Sequence, residues 1–225
     1  SNMAMVVCGN FKPEEMLEEI KKRLIQKPKQ AEIKRIYEKE EAPIHMKYKE
    51  TSMDVSKPIF AIGFKDEIPQ GEAKVRKHIA IEILMNMLIG KSSNLYQKLY
   101  EEGAMLAAPD LEYEFSDTYA HLMISGQSKE PQKVQEELLR EIEKQKQNFD
   151  TEAFERIRRK IYGDYVVEYN NIADIARMLL SDYFKGINSL DYIEQYKSIT
   201  AEYAKQILEE VFDEKRCILS VVKTK

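Results

Sequence analysis

Apolar and polar positions along this chain follow two rhythms, and the switches between them mark out its elements. MVVCGNF starts as a short β-branched run halted at Gly9-Asn10, the pattern of a buried strand followed by a turn. Pro13 then stands where the first turn of a helix accepts it, and Glu14 and Glu15 suit the positive end of the helix dipole. Met16, Leu17, Ile20, Leu24 and Ile25 recur at helical spacing, and Pro28 ends the run. Gln26 to Glu41 is charged, lacks a clear period and precedes Pro43, which reads as a linker. HMKYKETSM alternates like a strand exposed on one face, whereas PIFAIGF, from Pro58 to Phe64, is apolar enough for a central strand. Gly71 to Ile89 carries the strongest helical pattern. Val75, Ile79, Ile83, Leu84, Met87 and Leu88 form a continuous stripe, and Gly90 supplies a stop.

The next stretch, SSNLYQKLYEEGAML from Ser92 to Leu106, predicts a short helix entered through small polar residues and closed by Gly103. Ala104 to Phe115 and Thr118 to Gly126 read as two strands of a hairpin turning at Ser116-Asp117. Beyond Gln127 the pattern is helical. Pro131 to Gln147 turns Val134, Leu138, Leu139 and Ile142 inward; Thr151 to Tyr165 is capped by Asp150; Asn170 to Phe184 ends at Gly186; Thr200 to Phe212 begins on a threonine. CILSVV closes the chain as a strand. This order predicts an α+β fold, an antiparallel sheet covered by helices on one side. The strands AMVVCGN and CILSVV look alike. Either the parent is a tandem duplication whose repeats each end in such a strand, or two buried strands match by chance.

Composition narrows the function classes. At 225 residues the chain is long enough for a substantial core, and 43% hydrophobic with 33% charged residues is an ordinary globular balance. A net charge of -4 and no dominant lysine-arginine stripe argue against nucleic acid as a partner. No apolar run approaches the ~20 residues of a membrane span. Ser1-Asn2 reads as a cloning scar, and no signal peptide is expected. Cys8 and Cys217 both sit in strand-like runs, so the expectation is two free thiols in a reducing cytoplasm rather than a disulfide.

Candidate chemistry is sparse. The three histidines, His45, His78 and His121, belong to neither H-E-x-x-H nor H-x-x-E-H, the spacings that put two imidazoles on one helix face around zinc. His78 and Glu82 are four apart on a helix and could touch, but two ligands make no metal site, and a helix-face pair partly at the surface is the plainer expectation. The cysteines lack a CxxC partner. No G-x-S-x-G elbow is present, and Ser92 and Ser93 suit a helix cap. GKSS lacks the upstream glycine of a phosphate loop. Arg156, Arg158, Arg159 and Lys160 read as a solvated helix face, and Tyr162, Tyr165 and Tyr169 as core packing. No catalytic residue and no metal ligand set is expected in this chain.

Four segments in order resemble the insulinase/pitrilysin family of zinc metallopeptidases, which includes the mitochondrial processing peptidase. MVVCGNFKPEEMLEEI resembles the strand-turn-helix closing the family's first half, and PIFAIGFKD the first core strand of the second half. SSNLYQKLYEEGAML resembles the S-S-R-L-F-x-x-L-R-E-x-x-G-L-A-Y segment, in the form of the bacterial branch. FDTEAFERIRRKIYGDY resembles the T-x-E-E-L-x-R-A-K helix and its sequel. The resemblance spans nearly the whole chain and implies a hinged shell of duplicated α+β units, with zinc and its H-x-x-E-H in an N-terminal half that is absent here. It further implies three parts: residues 3–28 as the tail of the preceding repeat, 29–50 as linker and entry strand, and 51–225 as a C-terminal peptidase-like domain. Members commonly hold substrate with an arginine and a tyrosine. Those positions fall on Tyr100 and Leu106, neither of which can supply the family's charged grip. Tyr113 is a further candidate for contact with substrate. The implied partners are the N-terminal half or a paired homologous subunit, together with a peptide. The implied role is a non-catalytic wall of a peptide chamber, or alternatively an inactive scaffold subunit. No cofactor is expected in this chain itself.

Overall fold

The structure is a computed structural model that describes residues 3–24, 36–37, 44–71 and 73–225. Five strands form one sheet: β1 (Tyr48–Met53), β2 (Ile59–Asp66), β3 (Asp110–Phe115), β4 (Ala120–Gln127) and β5 (Cys217–Thr224), in the order β1-β5-β2-β4-β3. The pairings of β2 with β4, β2 with β5 and β3 with β4 are antiparallel, and β1 runs parallel to β5. Strand alternation sorts the two faces. Phe60, Ile62 and Phe64 of β2, Leu122 and Ile124 of β4, and Leu219 and Val221 of β5 are buried beneath helices. Ala61, Gly63, Met123, Ile218 and Ser220 point to the other, open face.

The helices are α1 (Pro13–Arg23), α2 (Ala73–Ile89), α3 (Asn94–Glu101), α4 (Pro131–Gln147), α5 (Thr151–Glu168), α6 (Ile172–Lys185), α7 (Asp191–Ser198) and α8 (Ala201–Val211). α2 lies at the centre of the helical layer, touching β3 and helices α3, α4, α5, α7 and α8. The apolar stripe expected on it is wider than one face. Ala80, Ile81 and Met85 are buried as well as Ile79, Ile83 and Leu84. It stops at Gly90, where an added Cβ would lie 2.5 Å from the Asn86 carbonyl. Asp150 caps α5 through Ala153 N–H at 2.9 Å, and Gly186 ends α6 in the left-handed region at φ 67°.

Several expectations needed adjustment. β3 is shorter than the Ala104 to Phe115 run, because Pro109 has no N–H for the ladder; upstream of it Met105 makes a lone bridge to Ser128. β1 is exposed on both faces, since it lies at the sheet edge beyond the helical cover. α7 went unrecognised because two turns with Tyr192 and Tyr196 inward are too short to show a period. The linker expected at 26–41 lies outside the described residues except for 36–37. The MVVCGNF run, which reads as a strand, takes no place in this sheet. A strand added beside β1 would gain no apolar cover, and the β3 edge presents Asp110, Glu112 and Glu114. Cys8 and Cys217 are free thiols.

A buried ion pair ties the layers together. Asp66, at the end of β2, receives Lys77 Nζ of α2 at 2.8 Å, the Tyr113 hydroxyl of β3 at 2.7 Å and the Glu67 N–H at 2.7 Å. Lys77 also reaches Glu210 of α8 at 3.2 Å. Removing one partner of such a pair strands a buried charge, whereas removing both charges is far milder. Lys77→Met is therefore expected to lower stability in urea denaturation by about 3 kcal/mol, and Lys77→Met with Asp66→Asn to recover most of that loss.

Candidate functional site

The segment Ser92 to Leu106 is built to deliver the chain onto an edge strand. Ser93 Oγ caps α3 by accepting the Tyr96 N–H at 3.0 Å. Leu95 and Leu99 are buried in the core and Tyr96 packs partly buried against it, which leaves Tyr100 outward, its ring centroid 5.8 Å from that of Tyr96. Gly103 then turns the chain at φ 73°, with its N–H donating to the Tyr100 carbonyl at 3.0 Å. The turn is fastened to the end of β4: Ser128 Oγ donates to the Ala104 carbonyl at 2.7 Å, Lys129 N–H to the same carbonyl at 3.2 Å, and Leu106 N–H to Gln127 O at 3.4 Å. From there the chain enters β3, whose outer edge pairs with no strand among the described residues.

The three sequence-derived positions separate on inspection. Tyr100 is 54% exposed, and Leu106 is half-buried in the turn; they flank Gly103 at the approach to the edge. Tyr113 faces the other way. It lies on the helix-covered side of β3, 4% exposed, with its hydroxyl committed to Asp66, so its role is core bracing rather than surface contact.

Charge near the edge is mostly negative. The nearby lysines are drawn off, Lys98 to Glu137 at 2.8 Å and Lys133 to Glu102 at 3.0 Å. Such a surface can offer main-chain hydrogen bonds and apolar contact, and it holds no bidentate cation at position 100. On the open face, Ile44, Ala61, Gly63, Met123 and Ile218 floor a shallow trough of about 340 Å³, rimmed by Lys65, His121 and Arg216.

The histidine candidates do not converge, and no group of three or more His, Cys, Asp or Glu among the described residues could hold a metal ion. The described residues do not fit zinc. His78 and Glu82 meet α7 rather than each other. His78 Nδ1 lies 2.8 Å from the Tyr192 hydroxyl, and the Tyr196 hydroxyl donates to Glu82 Oε2 at 2.8 Å. Two tyrosines four apart on α7 thus match two polar groups four apart on α2. The pair lies partly at the surface, as the sequence suggests, but each group is braced by α7 instead of touching the other. Burial, with Lys185 nearby, pushes the His78 pKa down to about 4, while burial pushes Glu82 up.

Sequence comparison identifies the family. The peptidase M16 inactive domain matches residues 1–161. The chain belongs to this family. It is 26% identical over 214 residues to the uncharacterized zinc protease YmfH of Bacillus subtilis, covering 93% of this chain and 50% of that one. An M16-like peptidase structure from Alicyclobacillus acidocaldarius superposes with a TM-score of 0.86 at 24% identity, over 96% of this chain and 53% of that one. The inactive peptidase domain of a zinc protease from Bordetella parapertussis gives a TM-score of 0.63 at 12% identity, over 78% of this chain and 95% of that one. The chain therefore spans about half the length of the curated relative it matches, and nearly all of the separate inactive domain. The insulinase-type resemblance holds, and with it an M16 domain of the inactive kind.

Two outcomes follow from this geometry. The unfolded chain protonates His78 near 6.5 and the folded chain only near 4, so its neutral form contributes stability above about pH 6.5 that drains away towards pH 4, by at most about 3 kcal/mol. Chemical denaturation across pH 7 to 4 is expected to show a shallower fall for His78→Gln than for the parent chain. An added Cβ at Gly103 meets nothing within 4 Å, so substitution there costs only backbone strain. Gly103→Val is expected to lower the unfolding free energy by about 1–2 kcal/mol and Gly103→Asn by clearly less.

Proposed function

We propose that this chain is the non-catalytic C-terminal half of a zinc-dependent M16 peptidase, forming one wall of a peptide chamber and an interface with the zinc-bearing half or a paired homologous subunit. The observation that carries this reading is a β3 edge left open beside a turn whose substrate-gripping positions hold Tyr100 and Leu106. Such an edge can add an extended peptide by main-chain bonds, with affinity independent of a charged clamp. Zinc and the general base would reside in residues outside this chain, and no step of bond cleavage falls to its own side chains.

The docking half of the proposal draws on the segment ahead of the sheet. Met5, Val7, Leu17 and Leu24 are exposed, and no side chain of α1 is buried, so this strand-like run and amphipathic helix lack an apolar partner within the described fold. The other half, completing its own sheet and core with them, is the body they suit. Two free thiols fit a reducing cytoplasm, and among the described residues no helix is long and apolar enough to cross a membrane.

Titration of the ¹⁵N-labelled chain with an unstructured peptide, followed by NMR, tests the chamber reading. Shifts confined to backbone amides from Ala104 to Gly126 are expected. A flat response there would sink peptide contact and leave an assembly role without peptide.

A further inference from the structure

We propose that the open face of the sheet seats helix α1 of a second copy of this chain, so that two copies exchange α1 about a two-fold axis. This goes beyond the chamber reading and does not rest on it. The two readings share α1, for which the zinc-bearing half and the second copy compete.

An antiparallel sheet with one solvated face ordinarily turns polar side chains outward there. The outward positions of the three central strands hold instead Ile59, Ala61 and Gly63 on β2, Met123 on β4, and Ile218 and Val222 on β5. Helices α4 and α8 pack on the opposite face of these strands, and no helix among the described residues packs extensively on this one. Ala61 and Gly63 keep the floor low, and Ile44, Met123 and Ile218 stand beside it in a trough of about 340 Å³. Such a floor has few polar groups to orient a small ligand, but it suits an apolar helix face.

Helix α1 is the matching piece. Met16, Leu17, Ile20 and, just past its end, Leu24 recur at helical spacing, yet none is buried, and Leu17 and Leu24 are exposed. Its length fits the seat: the 11 residues of α1 span about 16 Å, and β2 from Ile59 to Lys65 spans about 20 Å. Charge fits as well. Lys65, His121 and Arg216 rim one end of the trough, while Asp110 and Glu112 stand on the open side of β3 towards the other. Helix α1 carries Glu14, Glu15, Glu18 and Glu19 in its first half and Lys21, Lys22 and Arg23 in its last turn. With its N-terminal end at the basic rim, acid lies over base at one end and base beside acid at the other, which fixes the direction of the helix in the seat. Arg216 also reaches Glu67 at 3.3 Å, a surface pair weak enough to be shared.

A second copy brings the complementary helix and the complementary seat together, so reciprocal exchange makes the contact twice and closes it. Each seat then needs to bury only about 600 Å² in all to bring the pair to the roughly 1,200 Å² of a stable interface.

Sedimentation velocity on the full chain tests this. A dimer that dissociates on dilution is expected over a range of about 1 to 100 μM. Leu17→Asp in α1 and Ala61→Arg on the trough floor are each expected to weaken it about tenfold or more, since each sets a charge in the apolar contact, and Glu152→Gln on the exposed start of α5 to leave it unchanged. Both positions lie outside the core, and thermal melts check that the variants stay folded. In a Cys8→Ser background, a chain carrying Leu17→Cys mixed with one carrying Met123→Cys is expected to form a disulfide between copies in preference to either chain alone. A monomer at every concentration, a dimer that the folded variants leave intact, or no preferential cross-link in the mixture would overturn the proposal. The peptide titration reads main-chain amides of the hairpin, so the chamber reading and this one fail separately.

Discussion

Helix α2 is buried along most of its surface, and the rest of the helical layer is arranged around that constraint. The polar residues of such a helix are held by partners on the neighbouring elements. Lys77 is neutralised by Asp66, His78 and Glu82 meet the hydroxyls of Tyr192 and Tyr196, and the Arg76 guanidinium lies 4.1 Å over the Tyr203 ring. Lys74 caps the Lys185 carbonyl at 2.9 Å, so α2 is bonded to the far end of α6 as well. These contacts fix α7, α8, the end of β2 and the buried side of β3 relative to one axis. Uncharged packing would hold the same elements together with less say over their register.

That fixed frame leaves β3 at the edge of the described sheet. α3 and the Gly103 turn set the approach to it, anchored by Leu95 and Leu99 below and by Ser128 at the end of β4. What the frame does not supply is a concentrated positive charge or a nucleophile beside that edge. The lysines close by answer carboxylates of α3 and α4, and the tyrosine on β3 serves the core.

Much of this was legible before any coordinates. The boundaries of α4, the caps of α3 and α5, the Gly186 stop and the hairpin turn all follow from local rules, because caps and turns satisfy backbone groups within a few residues. The residue types at Tyr100 and Leu106 were equally plain, since they depend on the sequence alone. The place of Tyr113, in the core or against substrate, stayed open for the opposite reason. Alternation along β3 places Leu111, Tyr113 and Phe115 together, but only the packing of α2 over that face decides that it is the dry one. Nor did the charged run Lys74 to His78 announce a buried helix; local pattern says nothing of a carboxylate arriving from β2.

By itself the sequence determined the succession of strands and helices, the absence of a zinc-binding spacing and the family to which the chain belongs. These are properties of neighbouring residues and of ordered motifs. The tertiary structure alone decided strand order, the parallel seating of β1 beside β5, the burial of the Asp66–Lys77 pair and the inward turn of Asp182. Each of these depends on groups far apart in the chain, whose meeting is set by which faces exclude water together and which charges must then be answered across the gap.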